Sequence, residues 1–253
     1  MSIAGANDHE SWGISLESAS SSYTAFYAVQ TGYESTQNPL THPAGVIGTE
    51  QTFSPTIREG GNCLEDSTFY ANDNVTQSAL FTVFSFCLAQ PNFIFTTPIA
   101  SAFVSQYEGR LPNGEQAYVV ETFTPDTVPT ASSTWYTVLF NFATQRWDVV
   151  ISAADSAAIV PSAAGWDFAE TYFAPGQCPS LAPSGSSVVA YYDATTSSWK
   201  LQQGIMTGGL TSQVGGGANL GGNPCFLPAG SQPPSLQFLL ENPNYNWVVT
   251  SPD

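Results

Sequence analysis

Pro and Gly punctuate most of this chain, and nowhere do apolar residues recur at three-to-four spacing over a long window. What lies between the breaks is short, β-branched and aromatic, the pattern of strands. Expected strands are 23–30, 79–88, 93–96, 100–107, 116–124, 135–142, 147–152, 166–173, 187–192, 198–203, 236–241 and 245–250. A dozen strands in 253 residues favour two antiparallel sheets over a small barrel. The expectation is therefore all-β: one antiparallel sandwich over 1–253, concanavalin- or jelly-roll-like, with long Gly/Ser/Pro-rich loops.

Two runs show the pattern best. In "TWYTVLFNFATQRWDVVIS", alternating stretches flank Ala143-Thr144-Gln145-Arg146, which reads as a hairpin turn. "VVAYYDATTSSWKLQQ" repeats the shape, with Asp193-Ala194-Thr195 leading to Trp199. Similar hairpin geometry explains the pair without an internal repeat. Residues 204–222 are Gly-rich but lack the Lys and the strand–helix setting of a phosphate loop, so they read as a surface loop, or functionally as a flap over a site. Residues 38–62 read as a second irregular segment. From Asn74 to Tyr107 no residue is charged, but Pro91, Pro98 and many hydroxyl and amide residues argue against a membrane span.

Charge excludes several functions. Only Arg58, Arg110, Arg146 and Lys200 are basic, against 20 acidic residues, for a net charge of −16. Phosphate recognition needs clustered Lys and Arg, so nucleic acid and anionic membranes are excluded as partners. Crowded carboxylates repel one another at neutral pH and are discharged in acid. Their folded-state pKa values should then be raised, and the fold should tolerate pH 3 better than pH 8.

Cys63, Cys87, Cys178 and Cys225 form no CxxC pair, and His9 and His42 are the sole histidines. A metal site is not expected, nor any cofactor. The even count suits two disulfides in an exported protein, with local pairing (63 with 87, 178 with 225) as one of three connectivities. The start "MSIAGANDHE" has no apolar signal core and reads as a mature N-terminus behind a Met. Asn74-Val75-Thr76 is a glycosylation sequon if the source is eukaryotic. Both histidines read as loop residues, no G-x-S-x-G occurs, and a His-based triad has no basis. Carboxylates, amides and hydroxyls are what remain, and they point to acid-type hydrolysis of peptides or glycosides.

In "GWDFAETYF" (165–173), Glu170 stands among Trp166, Tyr172 and Phe173. Facing a cleft, it would have its pKa raised by desolvation and suit proton transfer; facing water, it is an ordinary strand residue. "ESWGISLESASSSYTAFYAVQTGYES" (10–35), "WYTVLFNFATQRWDVV" (135–150) and "AGWDFAETYF" (164–173) resemble segments of the glutamic peptidases of the eqolisin type, to which neprosin-type peptidases are related. The resemblance covers about 10–35 and 115–175. It implies a secreted, metal-independent endopeptidase of the same sandwich fold. Glu170 would act as general base and then acid, and the Gln30 amide would donate to the oxyanion. Trp12, Trp166 and Tyr172 would contact a polypeptide substrate.

The alternative is a non-catalytic binding sandwich, or an extracellular structural or adhesive protein. Six Trp and 11 Tyr among many amides and hydroxyls suit stacking on sugar rings, with polysaccharide as ligand. The stretch "NPNYNWVV" (242–249) could offer an aromatic platform.

Overall fold

The computed structural model describes residues 8–15, 23–31, 46–54, 64–72, 77–85, 92–110, 114, 116–130, 132–154, 166–173, 184–201, 205–206, 237–241 and 246–250. In chain order the elements are β1 (Asp8–Ser15), β2 (Tyr23–Thr31), β3 (Val46–Ser54), β4 (Leu64–Asn72), β5 (Gln77–Ser85), β6 (Asn92–Pro98), α1 (Ser101–Tyr107), β7 (Gly109–Arg110), β8 (Gln116–Phe123), β9 (Thr134–Asn141), β10 (Arg146–Ala154), β11 (Trp166–Phe173), β12 (Ser184–Asp193), β13 (Ser198–Leu201), β14 (Ile205–Met206), β15 (Gln237–Glu241) and β16 (Asn246–Thr250).

Two antiparallel sheets make a sandwich, as the strand pattern predicts. One has seven strands in the order β14-β1-β11-β3-β4-β5-β6. The other has nine: β10-β9-β8-β2-β12-β16-β15, with β13 on β12 and β7 on β8. The core lies between them. Phe26 and Ala28 of β2, Val120 of β8 and Leu139 of β9 meet Phe53 of β3 and Phe81 and Val83 of β5. Each large side chain sealed there contributes ~1.5–3 kcal/mol. The nine-stranded sheet is apolar on its other face too, where Val29, Ala117 and Val119 pack with Tyr27, Phe140 and Phe142.

Both predicted hairpins form. Residues 142–145 turn between β9 and β10, and 194–197 between β12 and β13. Each turn ends on a left-handed residue, Gln145 at φ 55° and Ser197 at φ 49°, which realigns the returning strand.

Three readings of the sequence are corrected. The expected strand 100–107 is a helix from Ser101 to Tyr107. Its apolar run Ala102-Phe103-Val104 has no strand partner among the described residues, and the Phe103 and Tyr107 rings meet at a tilt one turn apart, with centroids 4.8 Å from each other. A short apolar run does not separate helix from strand by period. Segment 38–62, read as irregular, contains β3. His9, read as a loop residue, lies in β1 opposite Tyr172. Within the Gly-rich run, Ile205–Met206 pairs with β1. Most of that run and all four cysteines lie outside the described residues.

Candidate ligand cleft on the outward face of the nine-stranded sheet

The inward positions of β2 are even-numbered, since Phe26 and Ala28 enter the core, so Tyr27 stands on the outward face. Register sets Glu121 of β8 directly beside Tyr27 on one side and Ala190 of β12 on the other. The two hairpins raise walls on this floor. Trp147, just past the first turn, reaches the Tyr27 ring edge-on at 6.4 Å. Trp199, just past the second, does the same from the opposite side at 6.1 Å. The cleft they enclose measures about 430 Å³, with Leu201 and the Lys200 stem completing its rim. Trp147 is 40% and Trp199 48% exposed, a large aromatic surface to leave in water.

β12 is distorted at this spot. Its pairing with β2 slips between Ser187 and Ala190. Val188, in the bulge, has φ 54° and points into the cleft. A β-branched residue in the left-handed region is strained, and bulges with such strain re-aim side chains beside functional sites.

One carboxylate among the described residues enters the cleft. Burial among the rings pushes the Glu121 pKa from 4.5 to about 7. Burial also raises the Tyr27 phenol, and the charge of Glu121 adds to the effect. Lys200 does not neutralise Glu121: its Nζ is bound to Asp193 Oδ2 at 2.6 Å. Asp193 also accepts from the Thr195 amide at 2.9 Å and the Thr196 hydroxyl at 3.1 Å, which fixes the second turn.

No family model and no curated protein matches the sequence. Solved structures do. A crystal structure of scytalido-glutamic peptidase with a peptide-based transition-state analogue matches at 7% identity, over 96% of this chain and 98% of that one, with a TM-score of 0.44. A second structure of that peptidase, with a transition-state analogue inhibitor, matches at 8% identity, the same coverage and a TM-score of 0.41.

The residues singled out in the sequence fall elsewhere. Gln30 is on β2 of the nine-stranded sheet, at an inward position with 0% exposure. Glu170 is on β11 of the seven-stranded sheet, opposite Ser11 and Glu50. The two therefore lie in different sheets. An inward even position on β2 and a place in the other layer follow from the strand pairings, which the spacing of the two residues along the chain does not reveal. Trp12, Trp166 and Tyr172 are placed in the seven-stranded sheet with Glu170, Trp12 opposite Ala169. Their side chains and that of Glu170 are outside the described set, as are Cys63, Cys87, Cys178, Cys225 and the side chain of Trp247. Sequence reasoning passed over Glu121 and Tyr27. The available signal was a lone acid inside the apolar run "QAYVVETFT".

Proposed function

We propose that this protein binds a neutral polysaccharide in the cleft over Tyr27, outside the cell. The observation that carries the reading is the pair of half-exposed tryptophans, one from each hairpin, set on either side of Tyr27 above a single protonatable acid. Flat aromatic faces accept the apolar faces of sugar rings, and a carboxyl among them hydrogen-bonds hydroxyls. Below pH 7 Glu121 is largely uncharged, so recognition rests on stacking and hydrogen bonds, which suits a ligand without charge. An exported setting accords with the low content of charged residues and the abundance of Ser and Thr.

Glycoside hydrolysis in the usual manner needs two carboxyl groups, about 5–10 Å apart. Among the described residues, Glu121 is the one acid lining the cleft, which favours binding over cleavage. A peptidase built on Gln30 and Glu170 loses its support with Gln30 sealed inside. One observation favours a second reading: a carboxyl titrating near 7 suits a general acid, and Glu121 would then serve hydrolysis with a partner from outside the described set.

The test is titration calorimetry against soluble β-glucan, mannan, xylan and chitin oligomers at pH 5, with reducing-end release followed in parallel. Binding to at least one is expected. Trp147→Ala and Trp199→Ala should each weaken it tenfold or more, about 1.4 kcal/mol, with unchanged melting temperature. Absence of binding to all four, or binding indifferent to both substitutions, overturns the proposal. New reducing ends that vanish in Glu121→Gln would replace binding with hydrolysis.

A further inference from the structure

A second group of polar residues lies inside the sandwich, away from the cleft. On the seven-stranded sheet, Val83, Asp66, Phe53 and Asp167 stand in one lateral row across β5, β4, β3 and β11. Val83 and Phe53 belong to the core, so the row faces inward. On the other sheet Ser186, Gln30 and Tyr118 stand in a row across β12, β2 and β8. The two rows are tied at one end. The Ser186 hydroxyl donates to Asp167 Oδ1 at 3.0 Å, and the Gln51 amide donates to Ser186 Oγ at 2.9 Å.

Two of these buried groups are poorly matched among the described residues. Asp66 is 1% exposed, and neither carboxylate oxygen accepts a hydrogen bond from another described residue; the Gln30 amide is 0% exposed and finds no partner among the described residues at either end. Asp167 is 0% exposed. Two carboxyl groups are thus buried in one row, and no basic side chain among the described residues is paired with Asp66. Arg110 and Arg146 are exposed, Lys200 is held by Asp193, and Arg58 is outside the described residues. Ionising both acids there would cost several kcal/mol. A single metal ion does not resolve this. The two backbones lie two strand spacings apart, about 10 Å, with the Phe53 ring between them.

We propose that the sandwich is locked by a proton: Asp66 folds as the neutral acid, and its ionisation at rising pH opens the two sheets. Burial is the main force holding its pKa well above the ordinary carboxylate range; the charge of Asp167 adds to it and the Asp66 amide opposes it. The ionisable groups around it are few. Asp167 faces it from β11 and Tyr118 lies on the inward face of β8. β5 carries none. Glu65 precedes it on the opposite face of β4, and Glu121 points outward from β8. The Asp193–Lys200 pair closes the far end of β12. Glu50 and Glu170 have side chains outside the described set.

The sign follows from proton binding. The folded state holds the proton to higher pH than the unfolded chain. Stability is full below about pH 4 and falls above it, as the unfolded chain ionises first. The unfolding constant should rise about tenfold per pH unit until Asp66 ionises in the fold. The test uses a Glu121→Gln background, which removes the cleft acid. Urea unfolding is followed by Trp fluorescence from pH 3 to 9, with and without Asp66→Asn. The parent should lose stability at that slope, and the Asn variant should run flatter. If Asp66→Asn does not fold, infrared difference spectra of the parent decide. A protonated-carboxyl band should persist above the ordinary carboxylate range and shrink only with unfolding. Parallel stability curves, or loss of that band within the ordinary carboxylate range, would sink the idea.

Discussion

Replacing Glu121 with Gln should make the protein more stable above neutral pH and leave it unchanged in acid. The carboxyl titrates at about 7 in the fold, against 4.5 when unperturbed. The cause is burial beside Tyr27, Trp147 and Trp199, which disfavours the charged form. The folded protein therefore binds this proton more tightly than the unfolded chain. Its contribution is intact below pH 4.5 and is lost as pH rises from there through 7. At 1.36 kcal/mol per pH unit the full loss is ~3 kcal/mol. The cleft is open and the carboxyl keeps part of its hydration, which lowers the expected figure to ~1–2 kcal/mol. Gln has the same shape and no charge, so it escapes the loss. Urea unfolding of both proteins at pH 4, 5, 6, 7 and 8 measures the difference. The gap should be near zero at pH 4 and reach ~1–2 kcal/mol at pH 8. A gap of the same size at both ends would mean that the substitution acts through packing, and the account of Glu121 as a desolvated acid would fail.

Two other substitutions probe the frame that holds the cleft. Ser197→Gly should raise stability by up to ~1 kcal/mol, because Ser197 sits at φ 49° where a Cβ is penalised; calorimetric melting checks it. Gly109→Ala should cost ~1–3 kcal/mol, because a methyl there would meet the Phe142 ring and force it off the outward face of the sheet; urea midpoints measure it.

The strands that could be read from the sequence are those with apolar residues on both faces. β8 buries Tyr118 and Val120 inward and Ala117 and Val119 on the other face, and β9 buries Leu139 inward beside Val138. β3 and β4 were missed for the opposite reason. Their inward positions include Gln51, Asp66 and Thr68, all buried, so the alternation of apolar with polar is broken where the fold is most enclosed. The helix was missed because a seven-residue apolar segment carries too little periodicity to separate 3.6 from 2. The site was hidden differently again. Tyr27 and Gln30 sit three positions apart on one strand, and parity alone sends one out and the other in. That parity depends on which face of β2 the second sheet covers. The answer comes from β3 and β4, the strands whose polar inward residues concealed them.

The cleft and the buried row impose one common condition on ligand and fold. In acid Glu121 is uncharged in the cleft, and Asp66, whose burial holds its proton on, is uncharged in the interior. In that range the protein presents its aromatic surface without a local charge and keeps its layers joined. Above it, both acids move toward ionisation, and neither has a basic residue to receive it among the described side chains, because Lys200 is already committed to Asp193. Yet the two effects reach separate observables. A charge on Glu121 is met by solvent at the mouth of the cleft, so its cost should appear in ligand affinity before it threatens the fold. A charge on Asp66 meets no solvent at all, so its cost should appear as separation of the sheets. Raising pH should therefore weaken ligand binding in protein that is still folded, and unfold it only at higher pH; Asp66→Asn should delay the second event without moving the first. Loss of both at one pH, with both shifted together by Asp66→Asn, would mean that the cleft responds only to unfolding.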